Sequence, residues 1–363
     1  MSNTPFPIVK ISGPALQRGI QYGEECRKMI ADTVAFYRHV FEYESMLKWA
    51  TSIKKATEFI PFIKSYNQDI FEEIQGIATG SGFLLEEIVA INVRSELLFL
   101  LTSSDEKSIK TCCTAVGAAP ESTAIENTLL AQNWDWYTAT QSQCVFLHIK
   151  QPELPDIVQF VEAGLIAKTG LNSAGIGLCT NALVCDGWRV GVPYHAILRG
   201  ILNADSLAQA IGAVTTPKRA SAGNFMLGHA KGEIINIEAG PKNFSIIYPD
   251  KGVLSHTNHF QIPHPEIKDK IPSLWPDTIV RGMRAAKLIS AKRGQINLDS
   301  MQNILKDQFD RPSSICSHES VDQPKEEAYQ TNASIILELT QKKITVAKGP
   351  PCENTFVSID INL

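Results

Sequence analysis

The sequence predicts an α+β fold of stacked antiparallel sheets covered by helices. Three observations carry this prediction. The first hundred residues place apolar side chains at three-to-four spacing, the signature of amphipathic helices. After residue 110, short runs rich in β-branched and aromatic residues alternate with Gly, Asn and Pro, as strands and turns do. Helical periodicity then returns in blocks between further strand runs, a pattern of segregated layers.

The elements follow in chain order. GPALQRGIQYGEECRKMIADTVAFYRHVFEY, IPFIKSYNQDIFEEIQGIATGSG and LLEEIVAINVRSELLFLL read as helices, the second stopping at a glycine pair. CTAVGA, TLLAQNWDW, CVFLHIKQ, DIVQFVEAG and GIGLCTNAL read as strands. VPYHAILRGILNADSLAQAIGAV is helical, broken between Asn203 and Asp205, with Asp205 placed to cap the second half. NFMLGHA, EIINIEAG, FSIIYP and GVLSHTNH return to strand. A helical pair covers 277–308, and ASIILELTQKKITVAKG reads as a hairpin before a last strand in TFVSIDI. SSICSHESVDQPKEEAYQT is polar and reads as a surface loop. There is no internal repeat.

Composition narrows the function classes. The chain has 363 residues, 44% of them hydrophobic, enough to bury a sizeable core in one large or two smaller domains. The formal net charge is −4 with both signs interspersed, which argues against a nucleic-acid partner. No stretch of about 18 apolar residues predicts a membrane span. The N-terminus lacks a basic start followed by an apolar run, so it does not read as a secretory signal. The expectation is a cytoplasmic protein. The terminal Ile-Asn-Leu ends in Leu as a peroxisomal address does but lacks the basic middle residue, leaving that address as a weak second reading. The eight cysteines are scattered without CxxC spacing and read as buried free thiols. His256 and His259 bring no third ligand near them in sequence, so no metal and no cofactor is predicted.

KTCCTAVG, residues 110–117, is the chemically suggestive stretch. Cys112 and Cys113 are adjacent, and vicinal disulfides are strained, which argues against a redox pair. The preceding 103–111 is polar, without periodicity, and reads as an exposed loop open to cleavage. A cut just before a cysteine places a thiol and an α-amine on one residue. The amine, with an ordinary pKa of about 7.7–8.0, then serves as base for a thiol whose own pKa is about 8.5. An orienting carboxylate and an oxyanion donor would complete the site. Asp135 in NWDW and Asn258 in HTNH stand at strand ends and are the candidates.

CTAVGAAPEST with LLAQNWDWY, EAGLIAKTGLNSAGIGLCTNAL, VPYHAILRGIL and HTNHF together resemble the acyl-coenzyme A:6-aminopenicillanic acid acyltransferase family of N-terminal nucleophile hydrolases. INVRSELL and the terminal KGPPCENTFV match as well, and the resemblance extends from about residue 90 to the end. It implies a four-layer αββα sandwich and a chain that cuts itself before the catalytic cysteine. The products would be 1–112 and 113–363, a small helical and a large catalytic portion held together as one unit from one chain. It implies Cys113 as nucleophile, with Cys112 as the alternative, Asp135 and Asn258 as partners, and an amide or acyl-coenzyme A substrate. Trp134, Arg94, Asn172 and His256 are the further pocket candidates; Arg94 and Glu96 read alternatively as a solvated ion pair, and Trp134, Asn172, Ser173 and Asn181 either as pocket-lining or as turn-shaping residues.

Two departures stand out. Cys112 occupies a position where members carry Gly or an acidic residue, and AYQTNAS lacks an arginine that fungal members place before a late strand. The rival reading is a binding protein that keeps the fold and never matures.

Overall fold

The computed structural model describes residues 4–43, 46–101, 112–322, 324 and 327–359. The predicted cleavable loop at 103–111 lies outside them. Among the described residues, seven α-helices follow the first strand: α1 (Ala15–Glu25), α2 (Arg27–Tyr43), α3 (Trp49–Ala56), α4 (Ile60–Tyr66), α5 (Gln68–Ser81), α6 (Leu85–Asn92) and α7 (Arg94–Leu101). Helices α8 (Tyr194–Leu202) and α9 (Leu207–Thr215) follow mid-chain. Then come α10 (Ile271–Leu274), α11 (Asp277–Ser290) and α12 (Leu298–Leu305). The strands are β1 (Ile8–Ser12), β2 (Thr114–Ala118), β3 (Leu129–Tyr137), β4 (Cys144–Lys150), β5 (Ile157–Glu162), β6 (Thr169–Asn172) and β7 (Ile176–Ala182). They continue as β8 (Gly223–His229), β9 (Ile234–Ala239), β10 (Phe244–Ile247), β11 (Val253–His256), β12 (Tyr329–Glu338), β13 (Lys343–Lys348) and β14 (Val357–Ile359).

The described residues form two sheets, ordered β1-β4-β5-β6-β7-β8-β9-β10 and β11-β2-β3-β12-β13-β14. Strands β2 and β3 pack on β7 and β8 across the interior. Helices α8 and α9 cover the first sheet, and α11 and α12 the second. This is the expected αββα layering. Both faces of each sheet are covered, so β3 and β5 are buried at every position, polar residues included. Side-chain alternation along β2 shows the two faces. Val116 and Ala118 join Leu129, Ala131 and Ile336 under Ala285, Ile289, Met301 and Ile304 of the helices, while Ala115 joins the core between the sheets.

Buried polar residues lock the layers. Gln132 of β3 donates to the Thr180 carbonyl at 2.5 Å and accepts from Thr180 N–H and the Thr169 hydroxyl at 2.9 Å each, tying the two sheets together. Its neighbour Asn133 points the opposite way and donates to the carbonyls of Leu305 and Ile315 at 2.8 Å. Helices α1 and α5 approach to backbone contact: a Cβ added at Gly19 would lie 2.1 Å from the Glu73 carbonyl oxygen, which requires glycine there. Beside that crossing, Glu73 accepts from Arg18 and Arg199 at 2.8 Å each.

Three expectations are corrected. IVKIS near the N-terminus is a strand, β1, paired in parallel with β4; its five residues are too few for periodicity to show. Ser206, not Asp205, caps α9, its side chain accepting from Gln209 N–H. The loop after α12 is not a surface loop throughout: Ser314, Ile315, Cys316, Ser317 and His318 are buried, because this stretch backs β3 and β12. Among the described residues no helix is long and apolar enough to cross a membrane.

Candidate active site

Sheet register builds the site. In the β2–β3 ladder Thr114 faces Asn133, the last pair, and Cys113 just before it shares a buried cluster with Trp134, the next residue of β3. In the β2–β11 ladder Ala115 faces His256, the last pair, and Asn258 follows two residues beyond it, tied to Thr278 of α11 through its N–H. The cysteine at the head of β2 therefore lies between two neighbouring chain segments that carry Asp135 and Asn258. Alternation puts Cys113 with Trp134 on the face between the sheets, and Cys112 with Asp135 on the face under α11.

Cys113 opens onto a pocket walled by Trp134, Trp136, Tyr194, Arg94 and Lys168. Its Sγ points at the Asp135 carbonyl oxygen, 3.9 Å away. Burial pushes the thiol up to about 11, the Asp135 carboxylate adding to the rise and the charges of Lys168 and Arg281 opposing it. In the uncut chain the thiol is thus held protonated. Cys112 Sγ lies 4.0 Å from Asp277 Oδ2 of α11, on the other face.

Asp135 is fully buried, and its Oδ1 accepts from the Thr331 hydroxyl at 2.6 Å. Thr331 stands within AYQTNAS, the stretch that lacks the arginine. An arginine does reach the site, from α11. Arg281 Nη1 donates to the Cys113 carbonyl at 3.0 Å and to Thr114 Oγ1 at 3.1 Å, and Nη2 to Asn258 Oδ1 at 3.2 Å. Asp277 anchors its Nε at 3.1 Å. Arg281 thereby fixes the Asn258 amide: Oδ1 is held, Nδ2 donates one hydrogen to the Ala182 carbonyl at 3.0 Å, and the second hydrogen is left for another acceptor. Asn181 donates to the Cys113 carbonyl from the facing sheet at 3.0 Å and is itself held by Asn224, which Asn236 holds in turn.

The pocket's far wall is a buried ion cluster. Glu162 accepts from Arg94 at 2.5 Å, from Lys168 at 3.0 Å and from the Tyr37 hydroxyl. Burial alone would raise this carboxyl, but Arg94 and Lys168 outweigh it and hold Glu162 at about 2. Lys168 is lowered to about 8 by its own burial, against the pull of Glu162, and its Nζ sits 3.4 Å from the Trp134 ring centroid. The Arg94 guanidinium stacks between Tyr37 and Trp136, 4.9 and 4.8 Å from their centroids. The cluster carries two cations against one anion. His195 also lines the pocket. Its Nδ1 lies 2.8 Å from the Ala167 carbonyl, which sets that nitrogen as the hydrogen-bearing one, and burial holds the ring neutral at about 3.

Not every candidate converges. Asn172 is saturated away from the pocket, donating to the carbonyls of Leu202 and Ala204 and accepting from Ile176 N–H. His256 is turned to Glu238 at 2.7 Å and to the Thr257 carbonyl, tying β11 to β9. His259 Nδ1 meets the hydroxyls of Thr257 and Thr278. Arg94 and Glu96 do not form a solvated pair: both are buried, and Glu96 instead accepts from Tyr194 N–H at 2.7 Å, pinning the start of α8. Lys168, Glu162, Tyr194 and Arg281 were missed. Spacing carries no signal for them; Arg281 reads as one more polar residue on an ordinary amphipathic helix.

A family model described as acyl-coenzyme A:6-aminopenicillanic acid acyl-transferase matches residues 123–351, a span holding Asp135 and Asn258. The acyl-coenzyme A:6-aminopenicillanic-acid-acyltransferase 40 kDa form of Emericella nidulans is 30% identical over 361 residues, covering 98% of this chain and 96% of that one. A mutant conjugated bile acid hydrolase from Clostridium perfringens aligns with a TM-score of 0.48 and 15% identity, over 68% of this chain and 92% of that one. Penicillin V acylase from Agrobacterium tumefaciens aligns at 0.47 and 13%, over 69% and 86%. On the family match and the near-full-length relative, the chain belongs to the acyl-coenzyme A:6-aminopenicillanic acid acyl-transferase family.

Proposed function

We propose that this chain is a self-activating cysteine N-terminal nucleophile enzyme that hydrolyses or transfers acyl groups at carbon–nitrogen amide bonds. One observation carries the reading: Cys113 heads β2 at a pocket, between the segments bearing Asp135 and Asn258, with Arg281 and Asn181 both donating to its carbonyl. Cys113 is favoured over Cys112 because Cys112 faces Asp277 under α11 and is not part of the pocket wall.

In the precursor, the Cys113 sulfur attacks the Cys112 carbonyl carbon. The peptide C–N bond breaks, the nitrogen takes the thiol proton, and a thioester joins the two pieces. Water hydrolyses the thioester, leaving a carboxylate on Cys112 and a free thiol and α-amine on Cys113. In turnover the amine takes the thiol proton, and the thiolate attacks the substrate carbonyl. The second hydrogen of Asn258 Nδ2 stabilises the oxyanion, and Asp135 orients the ammonium, which then protonates the leaving group. Water or an amine finally accepts the acyl group from the thioester.

The aromatic wall suits an apolar acyl chain, and the excess positive charge of Arg94 and Lys168 suits a carboxylate on the same ligand. The relative's acyl-coenzyme A and 6-aminopenicillanic acid are the first probes. Incubation with an aryl-acetyl-coenzyme A, followed by peptide mass spectrometry, is expected to place a hydroxylamine-labile acyl group on Cys113 and to pass it to 6-aminopenicillanic acid. Labelling of another cysteine, or none on the processed chain with any acyl donor, would contradict the reading and favour the non-maturing binder.

A further inference from the structure

Outside the active site, the stretch after α12 and the turn after β13 bring three ligand-type side chains together. Cys316 Sγ and Cys352 Sγ are 3.3 Å apart. His318 Nε2 lies 3.5 Å from the first and 3.3 Å from the second. All three ligand atoms fall within 4.8 Å of one another. Cys316 and His318 are buried, and Cys352 is partly exposed.

We propose that Cys316, His318 and Cys352 form a zinc site, a two-thiolate, one-imidazole set with a water in the fourth position. Tetrahedral zinc with bonds of about 2.3 Å to sulfur and about 2.0 Å to nitrogen separates sulfur from sulfur by about 3.8 Å, and sulfur from nitrogen by about 3.5 Å. The observed separations differ from these by about 0.5 Å or less, a change that side-chain rotation absorbs. Thiolates and imidazole are the donors that select zinc over calcium or magnesium. The other imidazole nitrogen, Nδ1, lies 3.5 Å from Glu353 Oε1, within a small side-chain adjustment of the carboxylate–histidine arrangement that supports metal-bound imidazoles. Arg311 shares that carboxylate at 3.6 Å.

The backbone holds the ligands in place. Cys316 N–H donates to the Asp307 carbonyl and His318 N–H to the Pro312 carbonyl, while Gly349 N–H ties the Cys352 turn to Asn332. The partial exposure of Cys352 leaves an entry path and a solvent-facing fourth position. Binding replaces the two thiol protons, which pass to water, and needs no oxidant. The site staples the C-terminal turn to the stretch carrying Ser317. Ser317 is bonded in both directions to Thr331, the residue that donates to Asp135.

The test uses the full chain, prepared under reductant, stripped with chelator and dialysed against micromolar zinc. Elemental analysis is expected to find about one zinc per chain. Cobalt(II) is expected to give a thiolate charge-transfer band with intense tetrahedral d–d bands. Cys352→Ser and His318→Ala should each weaken zinc binding at least tenfold with an unchanged circular dichroism spectrum, and Glu353→Gln about tenfold. The wild-type cobalt spectrum is informative even if a variant fails to fold. The proposal is overturned by no metal retained at micromolar zinc, by a cobalt spectrum without thiolate charge transfer, or by a Cys316–Cys352 disulfide in protein kept under reductant.

Discussion

Replacing Glu162 by Gln, in a Cys113→Ala background, tests the pocket's buried ion cluster. The carboxyl is held at about 2 against an ordinary 4.5, a difference of about 2.5 units. At about 1.36 kcal/mol per unit this is about 3 kcal/mol of stability at pH 7. The group is fully buried, so solvent screening removes little of it. The general cost of removing one partner of a buried ion pair, about 3–5 kcal/mol, agrees. The sign with pH follows. Because the folded-state pKa is depressed, the stabilisation is complete above about 4.5 and is lost as pH falls through about 2. The variant should therefore be weaker than its parent by about 3 kcal/mol in urea denaturation at pH 7, and the gap should narrow steadily below about pH 4.5. Loss of Glu162 also lowers Lys168 further below about 8, so the variant should regain stability as pH rises from about 6 to about 9. A difference under about 1 kcal/mol at pH 7, or one independent of pH, would refute the cluster's energetic role.

Two further outcomes follow from the site. Asn258→Ala is expected to lower kcat by about 10²–10³ with KM little changed, since the lost hydrogen bond forms to the oxyanion rather than to the ground state; steady-state kinetics with the acyl-coenzyme A probe decides, and a loss confined to KM would assign Asn258 to binding. The Cys113 thiol in uncut chain, held at about 11, should alkylate with iodoacetamide about tenfold faster per pH unit from about 7 to about 10. In cut chain the rate should instead level off near the α-amine range of about 8, as read by peptide-resolved mass spectrometry; equal profiles would contradict an amine-activated thiol.

The layering was legible because the strands are short runs rich in β-branched and aromatic residues between turn residues, and because the amphipathic helices repeat at about 3.6 residues. The neighbourhood of Cys113, Asp135 and Asn258 was legible because Cys113 immediately precedes β2, Asp135 lies near the end of β3 and Asn258 just past β11, and the pattern of each strand is clear. What sequence spacing could not reveal was the second layer of contacts. Arg94 reaches Glu162 across 68 residues, and Lys168 joins them from a different segment, so their pairing depends on how α7 packs on the first sheet. Arg281 joins the site from 168 residues beyond Cys113, on a helix whose amphipathic pattern gives no sign of it. Asn172 and His256 sit in suggestive local motifs, yet neighbouring carbonyls and the Glu238 carboxylate take up their polar atoms. Cys316, His318 and Cys352 read as scattered because 36 residues, including the β12–β13 hairpin, separate the two cysteines.

The most direct measurement of the central claim is the intact mass of freshly purified protein beside its Cys113→Ala variant. Two fragments that sum to the full chain plus one water, the larger beginning at Cys113, are predicted for the wild type, with the variant uncut. Fragments beginning at Cys112 would move the nucleophile by one residue against the pocket geometry. A single uncut mass in both proteins after long incubation would contradict self-activation outright.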